Sequence, residues 1–483
     1  MSQPTTAIIF GASGDLTRRK LIPALFRAHR LGRLPADFHV VGFARRPWDH
    51  DAFRALLKEG METYAADQYD DDAWQDFSSR IWYSRGNLDQ QADFEALRDF
   101  LDSLEKEGGN RLYYLATAPA FFSPVAHFLG DLGMARSDDG WRRLVVEKPF
   151  GTDLTSAGAL NDALHEAFDE TQIYRIDHYL GKETAQNILF LRFANTIFEP
   201  IWNRNYIENV QISVTEAVDV GHRAGYYDSA GVIRDMFQNH LFQLLGLIAM
   251  EPPHSFQATA VRNERAKLLS AVRSIHLEDT VRAQYEGYCT AAGVAADSST
   301  PTYAALKLFI DNWRWQGVPF YLRSGKALAE KATEIIIQFR KPPHLMFDFI
   351  DGDSFSSNVL SICIQPDEGM HLQFEAKVPD KNDAAQSVDM EFHYRDSFKG
   401  EYLPDAYERL LLDAIQGDAA LFARSDNIEF AWQLVDPVLE GWRQAPNATA
   451  LRSYEPGSWG PAAADELLAR AGHRWLHSCS VHD

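Results

Sequence analysis

Basic residues are in short supply in this 483-residue sequence: Lys and Arg total 47 against 68 Asp and Glu, a formal charge of −21 at pH 7. Affinity for nucleic acid or an anionic membrane surface rests on a basic face, so the deficit argues against both as partners. Small anionic ligands stay open, because a few lysines inside a cleft set the local field. Cysteine is scarcer still. Cys289, Cys363 and Cys479 stand far apart, with no CxxC pair and no histidine spacing suited to zinc. A reducing, cytoplasmic setting is the expectation. Long apolar runs are also missing: the longest, around Leu241–Met250, is about half a membrane span. The N-terminus has no basic segment, and its apolar run Ala7-Ile-Ile-Phe10 is too short for a signal peptide. Neither an internal repeat nor a low-complexity linker is present.

What is present suits two packed domains. Hydrophobic residues make up 46% and charged residues 24%, a globular balance, and the length is generous for one core. The first third alternates strand and helix patterns. Apolar runs at Ala7–Phe10, Phe38–Phe43, Leu112–Ala116 and Leu144–Val146 are separated by helical periodicity near 49–60, 91–106 and 120–134. A further helical pattern runs through Leu21, Ala24, Leu25 and Ala28, with Pro23 unfavourable inside it. Such alternation implies a parallel sheet wound by right-handed crossovers. Later the period changes to two. Val210, Ile212 and Val214 alternate with polar neighbours, as do parts of 358–365, 371–377 and 387–394, while Ile335–Phe339 is a continuous β run. A large antiparallel sheet follows, with helices near 153–170, 181–195, 231–249 and 404–422 covering one face. Its other face would pack on a second subunit. The boundary falls near residue 176, dividing the chain into 1–176 and 177–483.

Several segments carry chemistry beside a plainer reading. Gly11-Ala-Ser-Gly14-Asp15-Leu16 stands at the first strand-to-helix turn, where glycines let backbone N–H groups approach a pyrophosphate. The full GxGxxG is absent, and a structural glycine turn is the alternative. The second strand runs into Arg45-Arg46 rather than the carboxylate that an NAD-preferring domain usually carries, so a 2′-phosphate, and hence NADP, is favoured. Lys148, in Glu147-Lys148-Pro149, ends a strand at the edge where ligands bind, and Pro149 is a candidate cis bond. In Arg175-Ile-Asp-His-Tyr-Leu-Gly-Lys-Glu183, His178 and Lys182 are four apart and would share a helix face, as a phosphate dianion needs. Tyr179 adds a hydroxyl and Asp177 a carboxylate; a helix start capped by Asp177 is the alternative. Gly231–Leu245 reads as a helix. On it His240 is either a core histidine or a general base, and Asp235 and Asn239 could accept from sugar hydroxyls. Lys326 and Lys331 follow the strand-like run Val318–Tyr321.

In this order, Gly11–Leu16, Glu147–Gly151, Arg175–Glu183, Gly231–Leu245 and Trp315–Lys326 resemble the glucose-6-phosphate dehydrogenase family, as do Asp405–Asp413 and Asp436-Pro437. The resemblance spans about residues 6–460. It implies a Rossmann-type α/β domain followed by an α+β domain with a large antiparallel sheet. It further implies oxidation of D-glucose 6-phosphate at C1 to the lactone, the opening step of the oxidative pentose phosphate pathway. On that resemblance His240 is the base, with Asp177 as its partner. His178, Tyr179 and Lys182 clamp the phosphate, while Lys148, Glu216, Asp235, Lys326 and Lys331 hold the sugar. Gly11, Ser13, Gly14, Asp15, Leu16, Arg45, Arg46, Thr117, Pro119 and Lys148 meet NADP, with NAD a weaker or second cofactor. No metal is called for, and a homodimer or homotetramer is expected. The alternatives are a related sugar dehydrogenase of the same plan and a non-catalytic NADP-binding regulator.

Overall fold

The computed structural model describes residues 3–106, 108–346, 356–381, 384–399, 402–444 and 450–479. The chain divides into two compact units. The first holds Met1–Lys182 together with Pro253–Asn263 and Pro404–Glu429, and the second holds Glu183–Pro252, Glu264–Leu403 and Phe430–Asp483.

The first unit is built on six strands: β1 (Thr5–Phe10), β2 (Phe38–Ala44), β3 (Ile81–Arg85), β4 (Asn110–Leu115), β5 (Arg142–Val146) and β6 (Ile173–Arg175). Their order is β3-β2-β1-β4-β5-β6, and every pairing is parallel. All six residues of β1 are buried, as expected of a central strand covered on both faces by crossover helices. Aspartates set where several helices begin. Asp49 accepts from Ala52 N at 2.8 Å, Asp70 from Ala73 N at 2.8 Å, and Asp153 from Ser156 N at 2.7 Å. The expected runs for β1, β2, β4 and β5 are in place, whereas β3, β6 and the helix Asp71–Ser78 were not anticipated.

Pro23 resolves differently from a kink. It sits where a widened π-type turn, Thr17–Leu21, passes into the helix Ile22–Arg30; the chain stays helical, with Ile22 N donating to Thr17 O, and the widened turn accommodates the missing proline N–H.

The second unit carries β7 (Ile207–Thr215), β8 (Thr280–Tyr285), β9 (Tyr303–Leu308), β10 (Phe320–Gly325), β11 (Ala332–Phe339), β12 (Val359–Gln365), β13 (Gly369–Lys377), β14 (Ala385–His393) and β15 (Arg452–Tyr454). They form one sheet in the order β14-β13-β12-β11-β7-β10-β9-β8-β15. Most neighbours are antiparallel, but β10 runs parallel to β7 and β15 parallel to β8, so the sheet is mixed.

Two of the helices expected to cover this sheet belong to the first unit instead: Leu154–Ala167 and Ala406–Gln416. Hydrogen bonding explains the second assignment. Arg143 Nη1 donates to the carbonyls of Ala414 (2.9 Å) and Ile415 (2.5 Å), and Ala423 N donates to Arg175 O at 3.1 Å.

Two of the three cysteines meet although they stand far apart in the sequence. Cys363 on β12 and Cys479 are joined by a disulfide despite a separation of 116 residues, and Cys289 is free. Distance along the chain said nothing of distance in space. Among the described residues no helix is long and apolar enough to cross a membrane.

Candidate functional site

In the first unit the carboxyl ends of β1, β2 and β4 open onto a cleft of about 300 Å³. Gly11, Ser13, Ala44, Arg45, Asn87 and Thr117 line it, with Phe121 and Asp89 nearby. Gly11 has φ +81°, and a β-carbon there would lie 2.3 Å from the carbonyl oxygen of Ala116. Glycine is therefore required, and the bare backbone leaves the approach that a pyrophosphate uses. Gly14 N donates to Gly11 O at 2.9 Å, closing the turn. Asp15 and Leu16 open the following helix, and Asp15 pairs with Arg19 at 3.0 Å on the surface. Thr117 follows β4, and Pro119 begins the short 3₁₀ turn Pro119–Phe121.

Arg45 and Arg46 are both exposed, just beyond β2. Their backbone is held from below by the buried Tyr83 of β3, whose hydroxyl lies 2.7 Å from Ala44 O and 2.8 Å from Arg46 O. Burial pushes the Tyr83 hydroxyl up to about 12, so it stays a donor throughout the working pH range. Tyr83, Gly86–Asp89 and Phe121 escaped the sequence reading. The mixed polarity of Ile81–Arg85 hid the strand, although Gly86 after an aromatic pair was a usable turn signal.

Lys148 follows β5, and the Lys148–Pro149 bond is cis. Glu147 beside it is half-buried and accepts from the Tyr114 hydroxyl at 2.6 Å and from the Tyr407 hydroxyl. Burial raises the Glu147 carboxyl above its usual range, against the pull of these donors and of Lys148. Tyr407 is placed by Asp405, which caps the helix Ala406–Gln416 by accepting from Tyr407 N at 2.9 Å. Tyr407 was missed as a site neighbour because nothing in local spacing brings it to residues 147–178.

Residues 178–182 do not form a helix face. β6 ends at Arg175, and the next helix begins only at Glu183. Between them lie two tight turns: Leu180 N donates to Asp177 O (3.0 Å) and Lys182 N to Tyr179 O (3.3 Å). Asp177 is 2% exposed, and its Oδ1 accepts from Tyr179 N at 3.0 Å, the local bond that favours a turn over a helix. A β-carbon at Gly181 would sit 2.6 Å from Ala406 O, so the turn packs too tightly for any other residue. The turn still gathers its side chains. The His178 ring lies parallel to that of Tyr407 (centroids 6.5 Å apart, planes 5°) and 4.8 Å from that of Tyr179, and Lys182 Nζ sits 5.6 Å from the Tyr179 ring.

In the second unit strand register assembles a second set. Thr215 of β7 pairs with Gly325 of β10 and with Ala332 of β11, so Glu216, Lys326 and Lys331 emerge at one end of three adjacent strands. Lys326 and Glu216 form an ion pair, and Lys326 also lies 5.0 Å over the Tyr227 ring. Lys331 is exposed.

Asp235 and His240 are not on a regular α-helix. Gly231 breaks the chain at φ +67°, a widened π-type segment runs Ile233–Leu241, and only Phe242–Ala249 is α-helical. Wide turns of this kind cluster at functional sites. Asn239 serves the backbone there: its Oδ1 accepts from His240 N at 2.6 Å, and its Nδ2 reaches Arg234 O at 3.4 Å. The segment packs on β7 and β10, with His240 1% and Asp235 7% exposed. Asp235 and Glu216 both act on the buried Tyr227 hydroxyl and raise it further above its ordinary value than burial alone would.

A parallel sheet with a glycine turn at its nucleotide-binding edge, followed by a large mixed sheet with clustered lysines and carboxylates, defines a two-part nicotinamide-dependent oxidoreductase. The comparisons narrow the class. Residues 8–187 match the family model "Glucose-6-phosphate dehydrogenase, NAD binding domain", and residues 189–476 match its C-terminal domain. The chain is 45% identical over 485 residues to the glucose-6-phosphate 1-dehydrogenase of Aggregatibacter actinomycetemcomitans, covering 97% of this chain and 96% of that one. It is 42% identical to the Bacillus subtilis enzyme of the same name, covering 98% of each. A solved glucose-6-phosphate dehydrogenase in complex with glucose 6-phosphate superposes with a TM-score of 0.91 at 36% identity, covering 99% of both chains. The chain belongs to the glucose-6-phosphate dehydrogenase family.

Proposed function

We propose that this chain oxidises D-glucose 6-phosphate at C1 to 6-phospho-D-glucono-1,5-lactone, using NADP. The supporting observation is local to the second unit: buried His240 and Asp235, on a widened turn, pack against the strands whose ends carry Glu216 and Lys326. In this reading residues 1–176 form the dinucleotide domain and 177–483 the substrate-binding and oligomerisation domain.

His240 takes the proton of the C1 hydroxyl, and Asp177 holds the imidazole tautomer and stabilises the imidazolium that forms. His178, Tyr179 and Lys182 hold the phosphate. Lys148, Glu216, Asp235, Lys326 and Lys331 hold the sugar hydroxyls, the carboxylates accepting and the lysines donating. Oxidised NADP, when bound, would accept the hydride that leaves C1, so the proton on His240 and that hydride account for both hydrogens and both electrons. Gly11, Ser13, Gly14, Asp15, Leu16, Thr117, Pro119 and Lys148 hold its pyrophosphate and nicotinamide end. Arg45 and Arg46 hold the 2′-phosphate, a placement supported by their exposure beside the cleft. NAD binds more weakly, since it lacks the charge those arginines match. Proton removal at the hydroxyl assists the oxidation directly, so this chemistry draws on no metal. We place the enzyme in the cytoplasm as a homodimer or homotetramer. In keeping with a contact surface, Met390 on the edge strand β14 is 61% exposed.

A panel of glucose 6-phosphate, glucose, galactose 6-phosphate and fructose 6-phosphate, crossed with NADP and NAD and read by nicotinamide absorbance, tests the reading. Glucose 6-phosphate with NADP should give the highest kcat/KM. Cofactor binding without turnover of any sugar would favour the regulator instead.

A further inference from the structure

On β13 and β14, alternate residues separate two faces. Met370, Leu372 and Phe374 share one face with Val388, Met390 and Phe392, while His371, Gln373 and Glu375 share the other with Ser387, Asp389, Glu391 and His393. His371 pairs directly with Glu391 in the antiparallel register, and His393 lies two residues further along the same strand face. The ligating atoms of His371, Glu391 and His393 all fall within 4.8 Å of one another.

We propose that His371, Glu391 and His393 form a divalent-metal site of the zinc class, with Asp367 as its outer carboxylate. The spacing is the main argument. His371 Nδ1 lies 3.9 Å from Glu391 Oε1, and His393 Nε2 lies 3.8 Å from Glu391 Oε2. Both exceed the ~2.7–3.2 Å of an N–H···O hydrogen bond. Two ligand atoms that each sit 2.0–2.1 Å from a tetrahedral ion are about 3.3–3.5 Å apart, so small side-chain rotations close the set around one cation. The histidine rings stand edge to face, centroids 5.0 Å apart and planes at 78°, as converging imidazoles do.

The orientation of His393 points the same way. Asp367 Oδ2 lies 3.0 Å from His393 Nδ1. The two stand at ion-pair distance, and a carboxylate beside one ring nitrogen while the other is turned to the ion is the usual surrounding of a metal-binding histidine. Here the second nitrogen is Nε2, which lies 3.8 Å from Glu391 Oε2.

Two imidazoles and one carboxylate are a borderline donor set. It suits Zn²⁺, or Co²⁺ and Ni²⁺ as substitutes, and supplies too few oxygens for Ca²⁺. Three protein ligands leave a position for water. The His371 side chain is 7% exposed and that of Glu391 43%, so the site is built from within and reached from outside. Its place in the sheet separates it from the proposed sugar site: β13 is three strands removed from β7, about 14 Å at the usual strand spacing. Its role is to pin the edge hairpin β13–β14 to itself, an interaction that depends on no step of the sugar chemistry.

The test uses the full-length protein, stripped with a chelator and titrated with Co²⁺ and then Zn²⁺. One equivalent of Co²⁺ should bind with the visible bands of a four- or five-coordinate nitrogen–oxygen site. Zn²⁺ should displace it and raise the thermal midpoint. H371Q and H393Q should each weaken binding by a hundredfold or more, and D367N by ~10-fold or more, as outer-shell losses do. H240N should bind the ion as the wild type does. The proposal fails if excess metal produces no bands, or only those of an all-oxygen octahedral ion. It also fails if H371Q/H393Q, folded by circular dichroism, keeps wild-type affinity. Should that variant not fold, the wild-type spectrum and D367N still decide.

Discussion

At the scale of single residues, base and clamp should separate in kinetics. His240 is almost wholly enclosed, so asparagine can replace it in shape while removing the proton acceptor. H240N should lose about 10²–10⁴-fold in kcat, with the KM for glucose 6-phosphate nearly unchanged. Retention of kcat with loss of affinity would move the base elsewhere. Lys182 tests the other end of the substrate. Removing a charged hydrogen-bond donor costs about 1.5–3 kcal/mol of binding, roughly a 10- to 150-fold rise in KM. K182A should show that rise for glucose 6-phosphate and almost none for free glucose. Equal losses on both sugars would dissolve the clamp.

At the scale of elements, what the sequence disclosed depended on how far a signal reaches. β1, β2, β4 and β5 were legible because buried parallel strands are short apolar runs, whereas β3 mixes Ser84 and Arg85 into its strand and β6 is only three residues long. The spacing of His178 and Lys182 suits a helix and a double turn equally well; Asp177 bonding to Tyr179 N decided for the turn. Tyr407, the parallel β7–β10 pair and the disulfide rest on contacts between remote segments, which no local period encodes.

The disulfide makes a prediction of its own. It ties the segment after the last helix to β12, where Leu476 N already donates to Gln211 Oε1 (2.9 Å) and Ser478 N to Glu334 Oε2 (3.2 Å). Those contacts hold the folded state, so the bridge acts mainly on the unfolded chain, by closing a loop of more than a hundred residues. C479S should lower stability by about 2–4 kcal/mol. Reductant should shift the urea midpoint of the wild type toward that of C479S and leave C479S unmoved. An equal response to reductant in both proteins would mean the bridge contributes nothing.

At the scale of the whole molecule, stability against acid should rest on carboxylates held by guanidinium groups in each unit. Burial alone would raise Glu170, yet Arg175 (2.7 Å), His165 (2.7 Å) and Ser425 N (3.2 Å) bring its carboxyl below the usual range. In the second unit burial likewise opposes ionisation of Glu251, and Arg314, donating from Nε and Nη2 at 2.9 and 2.6 Å, lowers it. Asp228 is lowered too, against burial, by Ser298, Ala295 N, Tyr288 and Thr300. A carboxyl whose folded pKa is depressed binds fewer protons folded than unfolded. Its stabilisation is complete above the unfolded value, near 4, and is lost as pH falls through the lower folded value. Glu147 has the opposite sign: raised by burial, it stabilises most below its unfolded pKa and loses that contribution as pH climbs. Asp71 and Asp311 are lowered as well, while among the described residues only Glu408 joins Glu147 in being raised, so lowered carboxyls predominate and the urea midpoint should hold nearly steady from neutrality to about pH 5 and then fall steeply. E251Q should lower the neutral-pH midpoint and flatten the acid slope, because Arg314 then keeps only Glu199 (2.7 Å) of its two carboxylate partners at every pH. E147Q should leave the acid slope intact and keep the neutral-pH midpoint at or above that of the wild type, because no raised carboxyl then has to ionise at that position. An acid slope unchanged in E251Q would show that the arginine-bound carboxylates do not set acid stability.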